Sequence, residues 1–216
     1  MANRLLLTRA LAQAEAFAID MRAATSLEPV ISPMQKMVDL PVEVDLTGIS
    51  SLAFTSKNGV EAFARKSHVR LPAYCVGEAT AQCARNLGFE ALAASGNVES
   101  LSAKLPQSGV LHLHGVHVTS GLGTKSQAIY EQESLPLEPS TQALLSTGKI
   151  AAIALFSPRS SKLLAKAWQP NWPVPARLYA LSEAVALPLL PLGTPLVCPT
   201  PSAASMLRLL SADFPA

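Results

Sequence analysis

The 216 residues carry 17 Lys and Arg against 15 Asp and Glu, a formal net charge of +2 dispersed along the chain. That balance excludes a polybasic nucleic-acid groove and a basic patch for an anionic membrane, so the expected partner is a small molecule. Hydrophobic residues make up 49% but aromatics only 5%, which suits helices packed on buried strands rather than a platform for stacking bases, and the length suits two compact units.

The first apolar run, Leu5 to Thr8, is followed by Leu11 to Ala23, where Leu11, Ala14, Phe17, Ala18 and Met21 recur at helical spacing. Further strand-like runs are Pro29 to Ile31, Leu52 to Thr55, Tyr74 to Val76, Val110 to His114, Ala128 to Glu131, Ile150 to Phe156, Leu178 to Leu181 and Leu196 to Cys198. Strands alternating with helical patterns predict an α/β fold with parallel sheets. Pro188, Pro191 and Pro195 interrupt the most apolar stretch, so no membrane span is expected. The opening has only three successive leucines, far short of an export signal, and Cys75, Cys83 and Cys198 form an odd set without C-x-x-C. A cytoplasmic location is the expectation.

The chain contains an internal repeat. Leu52-Ala53-Phe54-Thr55-Ser56-Lys57-Asn58 resembles Ala154-Leu155-Phe156-Ser157-Pro158-Arg159-Ser160, and Gly77-Glu78-Ala79-Thr80-Ala81 with Gly88 resembles Ser182-Glu183-Ala184-Val185-Ala186 with Gly193. Each unit reads as strand, polar turn and helix. Such a turn presents hydroxyls, a cation and free N–H groups at the carboxyl end of a strand, where open α/β sheets bind ligands and helix N-termini favour anions. Thr55, Ser56, Ser157 and Ser160 are either N-caps alone or caps that also meet an anionic ligand.

These residues also carry a family resemblance. Leu5-Leu6-Leu7-Thr8-Arg9, Pro29-Val30-Ile31-Ser32-Pro33, Phe54-Thr55-Ser56-Lys57-Asn58-Gly59-Val60, Val76-Gly77-Glu78-Ala79-Thr80-Ala81, Asn97-Val98-Glu99-Ser100-Leu101, Ile129-Tyr130 and Phe156-Ser157-Pro158-Arg159-Ser160 occur in the order found in uroporphyrinogen-III synthases. The chain resembles that family over nearly its whole length. The resemblance implies two parallel-sheet α/β domains joined by two linker strands, with a cleft between them. One domain would be discontinuous, residues 1–34 with 134–216, and the other residues 35–133, with linkers near Glu28 to Pro33 and Gln127 to Glu133. The chain departs from the family pattern at Ala10, at His114-Gly115, in the short Gly-, Ser- and Thr-rich segment Val116 to Ser126, and at Ser182, Ala184 and Val185.

The activity so implied is cyclisation of hydroxymethylbilane. Loss of its hydroxyl as water leaves an azafulvene, attack by ring D gives a spiro intermediate, and reclosure inverts that ring to give uroporphyrinogen III. No cofactor is implied, because the protein selects a geometry and stabilises charge. Tyr130 is the expected catalytic group, since a phenol on a linker strand is protonated at neutral pH and can donate to the departing hydroxyl. A tyrosine packed at the domain junction is the alternative. The resemblance and the repeat together give Arg9, Thr55, Ser56, Lys57, Asn58, Gly77, Glu78, Thr80, Ser100, Ser157, Arg159 and Ser160 as substrate-binding residues, with Arg9, Lys57 and Arg159 facing carboxylates unless they are solvated surface charge. The chain is expected to act as a monomer. His112, His114 and His117 suggest a different function, a metal-dependent hydrolase, and a two-domain sensor without catalysis is a third reading.

Overall fold

The computed structural model describes residues 3–117, 121–174 and 177–216. In chain order, β1 (Arg4–Leu7), α1 (Leu11–Ala24) and β2 (Glu28–Ile31) are followed by β3 (Gln35–Asp39), β4 (Ser51–Phe54), α2 (Lys57–Lys66), β5 (Ala73–Cys75), α3 (Glu78–Asn86), β6 (Ala91–Ala93), α4 (Val98–Ser102), β7 (Val110–Gly115) and β8 (Lys125–Ser134). Then come α5 (Pro139–Ser146), β9 (Ala152–Leu155), α6 (Pro158–Ala167), β10 (Arg177–Ala180), α7 (Glu183–Ala186), β11 (Leu196–Val197) and α8 (Ala203–Asp213). The chain divides into two compact units, Met1–Lys36 with Ser134–Ala216 and Met37–Glu133, so both crossings fall inside strands, β3 and β8. Residues 28–31 are therefore no linker strand: β2 pairs in parallel with β1 at the edge of the first unit's sheet.

The first unit has a five-stranded sheet in the order β11-β10-β9-β1-β2, with every pair parallel. Its central strands are continuous apolar runs because both faces are covered. Leu6, Ile153, Leu155 and Leu178 pack on one side with Leu164 of α6, while Leu5, Leu7, Ala152 and Ala154 pack on the other with Phe17 and Met21 of α1 and Met206 and Leu210 of α8. Full burial of each such leucine contributes about 1.5–3 kcal/mol. Leu11 is exposed, since the apolar stripe of α1 starts only at Ala14.

The second unit's six-stranded sheet runs β3-β8-β7-β4-β5-β6, and β8, β7, β4, β5 and β6 are mutually parallel. Leu52, Phe54, Leu111 and Leu113 meet Val60 and Phe63 of α2 on one face, and Ala53 and Val110 meet Leu101 of α4 on the other. Counting outward from β4, the strands β4-β5-β6 lie to one side and β7-β8 to the other. Counting outward from β9, β9-β10-β11 lie to one side and β1-β2 to the other. The two sheets thus share one strand order, circularly permuted in sequence.

The structure shifts the register of the first repeat by one residue. β4 ends at Phe54 and β9 at Leu155, and the helix caps are Ser56 and Ser157, so Thr55 corresponds to Phe156 and Gly59 to Ser160. In the second repeat α3 has nine residues but α7 only four, followed by a 3-10 turn over Leu187–Leu192. Pro188 and Pro191 supply no N–H to an α-helical ladder, which accounts for the break. Gly88 and Gly193 end the two segments at positive φ, 87° and 147°. Among the described residues no helix is long and apolar enough to cross a membrane.

Candidate functional site

Each sheet changes winding direction once, between β4 and β7 in the second unit and between β9 and β1 in the first. Adjacent connections there leave in opposite directions and open a crevice outside the carboxyl ends of the strands, the usual ligand position in such sheets. Residues following β4, β7, β9 and β1 are Thr55 and Ser56, Val116, Phe156 and Ser157, and Thr8 and Arg9. Arg9, Thr55, Ser56, Lys57, Asn58, Ser157, Arg159 and Ser160 therefore collect at two switch points, one in each unit, whereas Gly77, Glu78 and Thr80 follow β5 and Ser100 lies in α4.

In the second unit the extended Ser56 caps α2, and its Oγ accepts from Gly59 N–H at 3.2 Å. The same Oγ lies 2.8 Å from Tyr130 Oη. Tyr130, 8% exposed, comes from β8 opposite Gly115 where the β7·β8 register slips, and its ring packs with Phe54, Val60 and Leu113. Glycine at 115 makes room for it, since a Cβ there would sit 2.6 Å from a ring carbon. Thr55 Oγ1 lies 3.2 Å from His112 Nε2. Lys57 begins α2 exposed to solvent, and Asn58 follows half-exposed.

The next turn is built differently. Gly77 caps α3 without a side chain, Glu78 is exposed and ion-paired with Arg85, and Thr80 is buried with its N–H bonded to the Gly77 carbonyl. Ser100 is committed to its own loop: its Oγ accepts from Ser95 N–H at 3.1 Å and donates to the Asn97 carbonyl at 3.0 Å. A cavity of about 370 Å³ lined by Thr47, Gln107, Gly109, Thr124 and Lys125 opens at the amino ends of β4, β7 and β8, the far edge of the sheet from these groups.

In the first unit Ser157 caps α6, accepting from Ser160 N–H at 3.1 Å and donating to Ser160 Oγ at 2.9 Å. Ser160, 3% exposed, also accepts from Gln35 Nε2 at 2.7 Å, so its hydroxyl is engaged inside the unit. Arg159 is half-exposed and reaches Ser134 Oγ at 3.5 Å. Arg9 is half-buried, with its guanidinium carbon 4.2 Å above the Phe156 ring and Nη2 bonded to Gln13 at 3.2 Å. Burial alone pulls Arg9 down from its ordinary value, yet a guanidinium stays charged, and its buried Nε has no partner among the described residues.

Sequence reasoning missed Gln35 and Phe156 and read His112 only as a possible metal ligand. The His112 and His114 rings stand 5.0 Å apart, while His117 is exposed in the loop beyond β7. Among the described residues no group of three or more His, Cys, Asp or Glu is placed to hold a metal ion. The short segment after His117 includes residues 118–120, which lie outside the described residues.

A family model described as uroporphyrinogen-III synthase HemD matches residues 18–208. No curated protein matches the sequence significantly. The structure is similar to that of uroporphyrinogen-III synthetase from Helicobacter pylori 26695, with 20% identity, a TM-score of 0.70 and 98% of this chain and 99% of that one covered. It is also similar to a mutant uroporphyrinogen III synthase from the extremely thermophilic bacterium Thermus thermophilus, with 17% identity, a TM-score of 0.59 and 98% of each chain covered. At such identities the structural likeness establishes the fold, and the family match extends over most of the sequence. The chain belongs to the uroporphyrinogen-III synthase family.

Proposed function

We propose that this protein closes hydroxymethylbilane to uroporphyrinogen III, with Tyr130 as proton donor to the departing hydroxyl and the carboxyl edges of both sheets as surfaces for the substrate's carboxylates. The 2.8 Å contact between Tyr130 Oη and Ser56 Oγ carries this reading. Ser56 Oγ already accepts from Gly59 N–H, so its own proton is available to the phenol oxygen, which leaves the phenol proton to donate outward. As the C–O bond breaks, that proton leaves with the hydroxyl as water. Negative charge developing on the phenol oxygen is stabilised by the Ser56 hydroxyl and by the N-terminus of the ten-residue α2. The proton released from ring D when that pyrrole regains aromaticity after reclosure restores the phenol.

Arg9, stacked on Phe156 at the other switch point, supports carboxylate binding there, because a guanidinium short of partners gains most from a bidentate anion. Lys57 and Arg159 add charge at the two helix starts. Three free cysteines support work in a reducing cytoplasm, and we take the working species to be a monomer, which sedimentation of the active protein tests. The decisive experiment supplies enzymatically made hydroxymethylbilane and separates the oxidised isomers. Wild type should give isomer III, and Tyr130→Phe should lose about 100-fold or more in kcat; an unchanged Tyr130→Phe rate would reduce Tyr130 to a packing residue.

A further inference from the structure

The cyclisation reading leaves the buried imidazole of β7 without a role. His112 is 1% exposed, its Nδ1 is buried with no partner among the described residues, and its Nε2 reaches Thr55 Oγ1. His112 pairs in register with Ala53, so its ring shares the sheet face of Thr55, two residues further along at the carboxyl edge. Thr55 is half-exposed, and its hydroxyl has no second partner among the described residues.

The sister sheet shows that a histidine is not needed at this place for folding. There Leu7 pairs with Ala154 as His112 pairs with Ala53, and Leu7 is an ordinary buried leucine. A polar ring stands in the place of an apolar aliphatic side chain only in the unit that carries Tyr130.

The tautomer follows from the partners. A proton on Nδ1 would leave a buried N–H donor unmatched, and orphaned donors are rarer than under-satisfied acceptors. A proton on Nε2 is matched by Thr55 Oγ1. The neighbouring His114 contrasts with this, since its Nδ1 lies 2.7 Å from the Gly115 carbonyl and so must carry the proton. Burial, with a smaller contribution from His114, pushes His112 down to about 4, which keeps it neutral in the cell.

We propose that His112 is a positioning residue: as the Nε2–H tautomer it donates to Thr55 Oγ1, and so turns the Thr55 hydroxyl proton outward to donate to a carboxylate of the substrate. The inference rests on reading this switch point as a place where the substrate's carboxylates bind. It adds a specificity contact beside Tyr130 that belongs to binding rather than to the proton transfer.

The test combines kinetics on hydroxymethylbilane with nitrogen-15 spectra of the imidazoles. His112→Leu, the residue found in the sister sheet, and Thr55→Val should each raise KM about 10-fold with kcat kept, the loss of one hydrogen bond to a charged group. The double variant should be no worse than either single one. His112→Gln, whose amide nitrogen falls where Nε2 was, should restore KM to within about twofold. Wild-type KM in His112→Leu, additive losses in the double variant, or a spectrum showing His112 with Nδ1–H would overturn the proposal. If His112→Leu does not fold, His112→Asn, too short to reach Thr55, replaces it. Should wild type produce no isomer III, the functional reading falls while the spectrum still decides the tautomer.

Discussion

In the first unit Ser157 caps α6 and gives its proton to a buried Ser160 that Gln35 also reaches, whereas in the second unit Ser56 caps α2 and meets the phenol of Tyr130. Cap chemistry is the same in both. The difference lies three residues on, where Ser160 in one unit corresponds to Gly59 in the other. A Cβ at Gly59 would come within 2.9 Å of the Leu113 carbonyl oxygen, so the glycine is what lets α2 start this close to β7, where Ser56 meets the phenol. One turn design thus serves as an internal clasp in one sheet and as a mount for a reactive group in the other.

The contrast can be broken most strongly with acid. His112 belongs to the second unit alone, and its folded value of about 4 lies below the ordinary 6.5. Between those values the unfolded chain binds the extra proton, so stability is full above about pH 6.5 and falls towards pH 4 by about 3 kcal/mol. The protection factors of the β7 amides, taken relative to intrinsic exchange at each pH, should fall over that range, and His112→Leu should remove this component. A comparable pH response in β1, where Leu7 occupies the matching place, would break the comparison.

Gly115→Ala comes next. Its Cβ would collide with the Tyr130 ring, at an expected cost of about 2 kcal/mol in urea unfolding and with a lower kcat as the phenol leaves Ser56. Ser160→Ala in the clasp should lower stability by about 1–2 kcal/mol, because the Gln35 amide loses its acceptor within the unit. The smallest stability changes, about 1 kcal/mol each, belong to Ser56→Ala and Ser157→Ala as lost caps. Initial rates separate this pair, since kcat should fall further for Ser56→Ala, whose hydroxyl also serves Tyr130. Equal kcat values in the two variants would argue against the mount.

Legibility in the sequence followed the range of each interaction. Leu5-Leu6-Leu7 and Leu52-Ala53-Phe54 announce strands buried on both faces, and the α1 stripe is clear from Ala14 onward. β3 was not legible because Gln35 and Lys36 open it with polar side chains, nor was β6, a three-residue edge strand. The caps were legible as residue types, but matching Phe54 to Phe156 set the repeat one residue out, and only the hydrogen bonds Gly59 to Ser56 and Ser160 to Ser157 fix the alignment. Tyr130 came from the family resemblance, while the partner of Arg9, the Phe156 ring, had no local signal.

By itself the sequence determined what a turn or a helical period can encode: alternating strands and helices, Ser56 and Ser157 as helix starts, and cations beside them. Tertiary structure alone decided that one strand order is built twice in permuted sequence, and which hydroxyl meets which partner. Ser56 and Tyr130 are 74 residues apart, Thr55 and His112 57, and Gln35 and Ser160 125. Capping and periodicity act within a few residues and leave a local trace, whereas these contacts exist only after parallel strands have closed long crossovers and brought their carboxyl ends together.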